Sequence, residues 1–422
     1  MNTFRPRTSL VSLDTLKQGL VLFAATSAVS LLNYLFHVVQ SRMLGPREYA
    51  TLAAMLSLFT TIGAPVGAAQ AMLGDNVARF RARGELGKAS RLSRSALQWL
   101  GLASLPVAAG VVLLSHPLAD FLKLDSIGPI LALSTAFLPT LLNPALTGIL
   151  QGLERFRVLG LVLLVSAAAR LVSGVALVWL GWGASGGIVA STVAGAVGIG
   201  AGLYAIRQML RQPGEAHQLT AADLSRYGGS VLANGLLFST FLNLDVVLVK
   251  HYFDPELAGY YAAAATVGKM VFFMPGAVGT LMFPRVSAQL AAGGDGARIL
   301  RKSALVTLGL CGAMSAALFL FPGPITQILF GAAYTPTARL VGGYSVVMGL
   351  FALANLLMLY HLSAHDSRFV ILLGAGVLLE LIGVALFHQR LGQVVAVVGA
   401  STGAVILASE LWLKGLIGLN KA

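Results

Sequence analysis

The sequence predicts an all-α integral membrane protein of about twelve transmembrane helices, and three observations carry that expectation. Of the 422 residues, 57% are hydrophobic and only 11% charged, against roughly 25% charged in soluble domains. Apolar windows longer than a bilayer-spanning helix recur from end to end, separated by short charged or Pro/Gly-rich breaks. Lysines and arginines crowd into alternate breaks, as expected of loops sorted by the positive-inside rule.

A helix needs about 20 apolar residues to cross the hydrocarbon. On that criterion the spans fall at 18–41, 50–72, 95–115, 127–149, 158–180, 184–206, 228–250, 257–282, 303–322, 337–361, 369–388 and 392–413. The first follows Arg5, Arg7, Asp14 and Lys17 and ends at Arg42 without an Ala-x-Ala-like cleavage site, so it reads as a retained helix. The net charge of +13 comes from short clusters between apolar runs, without aromatic interleaving or a nucleic-acid fold motif, and no nucleic-acid partner is expected. The single Cys311 excludes an intrachain disulfide, and the seven histidines lack metal-ligand spacing; no metal or cofactor is expected.

With the N-terminus inside, twenty-one basic residues fall in the cytoplasmic loops and termini, the densest run being Arg79, Arg81, Arg83, Lys88, Arg91 and Arg94. Six fall on the other side: Arg42, Arg47, Lys123, Lys250, Arg339 and Arg390. Only Arg170 and Lys269 lie within spans. One missed or invented helix would scramble this alternation, so it supports twelve spans with both termini cytoplasmic.

An ordered internal match divides the chain in two. Gly45-Pro46-Arg47-Glu48-Tyr49-Ala50 leads into a span holding Pro65 and a basic loop ending Arg94-Ser95-Ala96-Leu97. Asp254-Pro255-Glu256-Leu257-Ala258-Gly259-Tyr260 leads into a span holding Pro275 and a basic loop ending Lys302-Ser303-Ala304-Leu305. Asn143 before Glu154-Arg155-Phe156 likewise parallels Asn355 before Asp366-Ser367-Arg368-Phe369. Each copy holds an even number of spans, so the copies enter the membrane in the same sense and should be related by a pseudo-two-fold axis along its normal, the parallel repeat of two-lobed transporters. The expected division is an N-terminal six-helix lobe at 1–206, a cytoplasmic linker at 207–227 and a C-terminal lobe at 228–422.

These segments resemble the Wzx-like, polysaccharide-export branch of the multidrug/oligosaccharidyl-lipid/polysaccharide (MOP) exporter superfamily. The likeness rests on Arg42-Met43-Leu44-Gly45-Pro46-Arg47-Glu48-Tyr49, Leu150-Gln151-Gly152-Leu153-Glu154-Arg155-Phe156, Asn243-Leu244-Asp245, Ala258-Gly259-Tyr260-Tyr261, Phe283-Pro284-Arg285-Val286-Ser287 and Leu329-Phe330-Gly331. The resemblance implies a flippase that carries polyprenyl-diphosphate-linked oligosaccharide, of the undecaprenyl type, to the outer leaflet of a bacterial inner membrane. It also implies membrane lipids and other glycan-assembly membrane proteins as partners, with H+ or Na+ as a coupling ion.

A diphosphate crossing the hydrocarbon needs a cationic, hydrated route. Lys269, close to the midplane, and Arg170, with its planar fork, are the candidates to bind it. Lys269 can instead pair with Glu380, and Arg170 can instead lock helices together. His37 and Asn33, four residues apart on one helix face, add polar contacts or simply bond a neighbouring helix. Arg42 and Arg285 flank the expected cavity and are placed to recruit phosphate at its mouths or to serve topology. Asp245 and Glu380 are the ion-coupling candidates, with structural pairing as the other reading. Glu410 is assigned to an i,i+4 pair with Lys414. Pro65 and Pro275, at matching points of the repeat, are hinge candidates. Gly198 and Gly202 read as a helix-packing pair.

Three other classes compete, one of them a purely structural assembly protein, which would leave Lys269 and the repeat without a reason. A glycan polymerase or glycosyltransferase needs an aqueous site, but the longest outer loops, 116–126 and 323–336, are short and carry no nucleophile or phosphate-cradling motif. A cation-coupled multidrug antiporter would share the fold and use Asp245 or Glu380.

Overall fold

The computed structural model describes residues 13–213, 221–364 and 366–413. The described residues are helical throughout: α1 (Leu13–Gly63), α2 (Val66–Ala82), α3 (Leu86–Leu113), α4 (Ser115–Phe121), α5 (Gly128–Thr135), α6 (Phe137–Gly152), α7 (Phe156–Trp179), α8 (Gly183–Leu210), α9 (Ala221–Tyr252), α10 (Pro255–Phe273), α11 (Gly276–Ala291), α12 (Ala297–Leu320), α13 (Pro322–Phe330), α14 (Ala338–Ser363), α15 (Phe369–Leu386) and α16 (Leu391–Ala408). A 3₁₀ segment, Ala332–Thr337, precedes α14, and a π turn, Ser409–Leu413, extends α16.

Eleven helical stretches are long and apolar enough to cross a membrane, and one of them, Val21–Gly63, holds 43 residues. A straight helix of that length would run about 65 Å, twice the hydrocarbon thickness. It folds back at Gly45, whose φ of 69° and ψ of 175° break the helix. Only glycine takes this conformation at little cost, and the following Pro46 starts the next arm with its φ already helical. Twelve crossings result, the number expected from the sequence. The basic loops lie at one end of the bundle, and the Gly45 turn lies at the other.

The repeat is visible in the elements. The second arm of α1 is interrupted at Ala64-Pro65 and resumes as α2; α10 is interrupted at Met274-Pro275 and resumes as α11. Each proline lacks the N–H that would continue the ladder, so both helices break after similar lengths. The short α4 after α3 is likewise matched by α13 after α12. The expected linker runs into residues 214–220, outside the described residues, and the Glu410–Lys414 pair reaches beyond them as well.

Within the first half α7 packs on α8 and on α1, and α2 on α6; within the second α12 and α10 pack on α14, and α15 on α9. Where α8 meets α6, a side chain at Gly198 would strike Asn143 and one at Gly202 would strike Leu146, so both glycines serve close packing. The halves meet along α1, α9 and α10. Their contact is tightest at the Gly45 end, where the Gly259 position lies so near the Pro46 carbonyl that an added Cβ would stand 2.1 Å from its oxygen. Toward the basic end, α2 packs on α3, α6 and α9 while α11 packs on α12 and α14, and α2 and α11 share no extended contact. The α1–α10 contact seals one end, and at the other α2 and α11 stand apart while α2 still reaches α9.

Candidate functional site

The seal is built from side chains that donate to backbone carbonyls across the halves. Arg42 donates through Nε to the Leu329 carbonyl at 3.0 Å and through its terminal nitrogen to the Ile328 carbonyl. The buried Tyr334 hydroxyl donates to the Ser41 carbonyl at 2.9 Å. The rings of Tyr49, Phe330 and Tyr334 cluster with centroids 5.5–6.3 Å apart. His251 of α9 stacks on Phe121 of α4 at 4.1 Å and bonds its carbonyl at 2.6 Å. Arg42 is thus committed to the seal, whereas Arg285 lies exposed on α11, ten residues beyond the Pro275 break.

Below the seal a polar chain crosses from one half to the other. His37 Nδ1 and the Tyr49 hydroxyl lie 3.2 Å apart, and Tyr49 meets Thr266 at 2.8 Å. Thr266 also donates to the Ala262 carbonyl at 2.9 Å, so the donor count assigns Tyr49 as donor to Thr266 and His37 Nδ1–H as donor to Tyr49.

On the first-half side of this chain sits Arg170 of α7. Its Nη1 donates to Asn33 Oδ1 at 3.1 Å and its guanidinium lies 4.2 Å from the centre of the Phe36 ring. Among the described residues no carboxylate pairs with it, and its buried Nε has no partner. Asn33 and Arg170 border a cavity of ≈ 230 Å³ that also takes in Asn143, Ser166 and Gly195.

On the second-half side, Lys269 of α10 donates to Asn243 Oδ1 at 2.8 Å, and Asn243 donates to the Ser239 carbonyl at 2.8 Å. Asp245 is 1% exposed and accepts from Tyr261 at 2.8 Å and Tyr344 at 2.6 Å, both on the same oxygen. Among the described residues its other oxygen has no partner, nor has either oxygen of the fully buried Glu380 on α15, whose side chain faces the backbone at Asp245. Lys269 lies in the field of both acids yet forms no ion pair within 4 Å with any described residue. Two buried carboxylates and one ammonium therefore share a low-dielectric site with three carboxylate oxygens unbonded, an arrangement costly to keep doubly ionised.

Sequence reasoning named Lys269, Asp245, Glu380, Arg170, Asn33 and His37, and the fold gathers them into these two clusters. It did not assign roles to Tyr49, Tyr261, Tyr344, Asn243 or Thr266. One signal was available for Tyr261: it precedes Lys269 by eight residues, which puts both on one helix face. Among the arginines of the densest basic run, Arg79 pairs with Asp75 at 2.7 Å and Arg81 with Glu154 at 2.8 Å.

The family of polysaccharide biosynthesis proteins matches residues 15–289. Among solved structures, an inward-facing multidrug resistance MATE family transporter of the MOP superfamily superposes with a TM-score of 0.75 at 16% identity, over 91% of this chain and 93% of that one. The lipid II flippase MurJ in an inward closed conformation gives 0.73 at 14% identity, over 94% and 88%. An outward-facing MATE family transporter gives 0.61 at 15% identity, over 94% and 93%. No curated protein matches the chain. By family the chain belongs to the polysaccharide biosynthesis proteins, and its two-lobed helical architecture is the fold shared by these solved structures.

Proposed function

We propose that the protein is a flippase that moves polyprenyl-diphosphate-linked oligosaccharide from the cytoplasmic to the outer leaflet of a bacterial inner membrane by alternating access between its lobes, residues 1–206 and 228–422. One observation carries this reading: Arg170 of the first half, bonded to Asn33 one turn before His37, and Lys269 of the second, three residues beyond Thr266, lie at the two ends of the His37–Tyr49–Thr266 chain that joins the halves. A diphosphate at that point would exchange part of its hydration for two fixed positive charges, which lowers the cost of crossing the hydrocarbon. In this orientation both termini and the basic loops are cytoplasmic, and the Arg42–Tyr334 seal is the closed outer gate.

The unbonded oxygens of Asp245 and Glu380 support coupling to H+ or Na+, since a bound proton or cation would neutralise the charge that the single Lys269 leaves over. They also favour a second reading, a cation-coupled multidrug antiporter. The test is outer-leaflet delivery of a panel of diphosphate-linked oligosaccharides in proteoliposomes. Native protein should flip at least one; Lys269→Ala and Arg170→Ala, at matched folding, should lose tenfold or more, about 1.4 kcal/mol or greater. No flipping across the panel, together with cation-driven drug efflux, would replace the flippase by the antiporter.

A further inference from the structure

Few basic residues occupy the sealed face, yet three of them meet in one pocket. Lys250, in the last turn of α9, is 3% exposed, and its ammonium makes no hydrogen bond or ion pair with any described residue. It opens into a polar cavity of ≈ 230 Å³ that Arg47 and Lys123 also line, together with the Gly181–Gly183 turn and Pro255. That volume far exceeds the ~10–15 Å³ a single water needs. The acids facing Lys250 cancel only part of the charge. Glu48 accepts the Ala184 N–H at 2.8 Å, and Asp125 stands 3.7 Å from Arg47 with its side chain 83% exposed. Three cations, of which Arg47 is itself 67% exposed, therefore face two carboxylates, and the pocket keeps one net positive charge.

A buried ammonium without a partner is costly, and a ligand that supplies the missing anion removes that cost. We propose that Lys250, Arg47 and Lys123 form an oxyanion site on this face for a phosphate group, carried by an anionic lipid headgroup or as free phosphate. Lys250 and Pro255 belong to the second half and Arg47 and Lys123 to the first, so the bound anion ties the halves together at the seal. The site is separate from the Arg170 and Lys269 clusters and stands whatever the cargo is.

The test is thermal unfolding of the full chain. Inorganic phosphate is titrated in detergent at constant ionic strength with chloride as control, and nanodiscs of phosphatidylcholine with and without phosphatidylglycerol are compared. Native protein should show a saturable rise in Tm of a few degrees with at least one probe and none with chloride. A rise with phosphate identifies the free anion as ligand; a rise with phosphatidylglycerol alone identifies the headgroup. Lys250→Met should abolish the rise and, without ligand, melt no lower than native. The pair Arg47→Gln and Lys123→Gln should weaken half-saturation about tenfold or more, and it keeps the test decisive if Lys250→Met does not fold. Absence of any rise with either probe overturns the site, as does a rise in Lys250→Met or in the Arg47/Lys123 pair variant equal to that of native protein.

Discussion

At the scale of single residues, the second-half cluster separates groups that hold the fold from groups held at its expense. Asp245 takes two tyrosine hydroxyls on one oxygen. Removing one donor, in Tyr344→Phe, should therefore destabilise the protein by about 2 kcal/mol, the range for hydrogen bonds to charged groups, measurable as a lower denaturation midpoint. Glu380 has no such partners although it is fully buried. Glu380→Gln should consequently leave Tm unchanged or raise it, because a near-isosteric neutral amide replaces the buried carboxyl without breaking one of its hydrogen bonds. The same variant should lose the dependence of transport on a proton or sodium gradient, and a Tm that falls with coupling intact would make Glu380 purely structural. Lys269, Arg170, Asp245 and Glu380 were legible in the sequence because an ionisable residue inside an apolar run stands out against its neighbours. The tyrosines were not, since aromatic residues are ordinary in such runs and only a neighbouring helix decides whether a hydroxyl meets a carboxylate.

At the scale of helices, contact between the halves depends on how closely α1 and α10 approach. An alanine at Gly259 would drive its Cβ into the Pro46 carbonyl, a backbone atom that cannot turn aside. Gly259→Ala should part the seal, and a cysteine replacing the fully buried Ser41 should then react several-fold faster with an impermeant maleimide from that face. The turn between α14 and α15 is set by charge. Arg368 donates through Nε and Nη2 and through its backbone N–H to Asp366, at 2.7–3.2 Å, and holds that carboxyl below the ordinary aspartate value of 3.8. With the folded pKa depressed, this stabilisation is present above the ordinary value and is lost as pH falls through the lower, folded one. Asp366→Asn should accordingly speed amide exchange at Arg368 and Phe369 at neutral pH, and its difference from native protein should vanish in strong acid. Helix breaks were largely readable from Gly45-Pro46, Pro65 and Pro275, because proline and glycine act on their own backbone. The use of Gly259 was not, since its need for a missing Cβ comes from another helix.

At the scale of the whole molecule, the sealed end and the separation of α2 from α11 at the other define one state of an alternating-access cycle in the proposed reading. Holding the seal shut should stop that cycle without unfolding the protein. A short thiol crosslinker joining cysteines at positions 42 and 329, in a Cys311→Ser background, should abolish transport while leaving Tm equal or higher. Reduction or omission of the linker should restore transport. Transport that persists under full crosslinking would show that this end does not open.

The number of crossings, the repeat, the alternation of basic loops and the identity of the intramembrane charges follow from the sequence by itself. Each depends on the chain locally: transfer of apolar side chains into lipid, the cost of a charge there, and backbone limits at Gly and Pro. Which charges meet is decided by the tertiary structure alone. Lys269 bonds Asn243 rather than Glu380, Arg42 caps carbonyls nearly three hundred residues away, and Lys250 is left facing a pocket with Arg47 and Lys123. These pairings depend on the packing of separate helices, and a helix's own residues fix its faces but not the neighbour each face will meet.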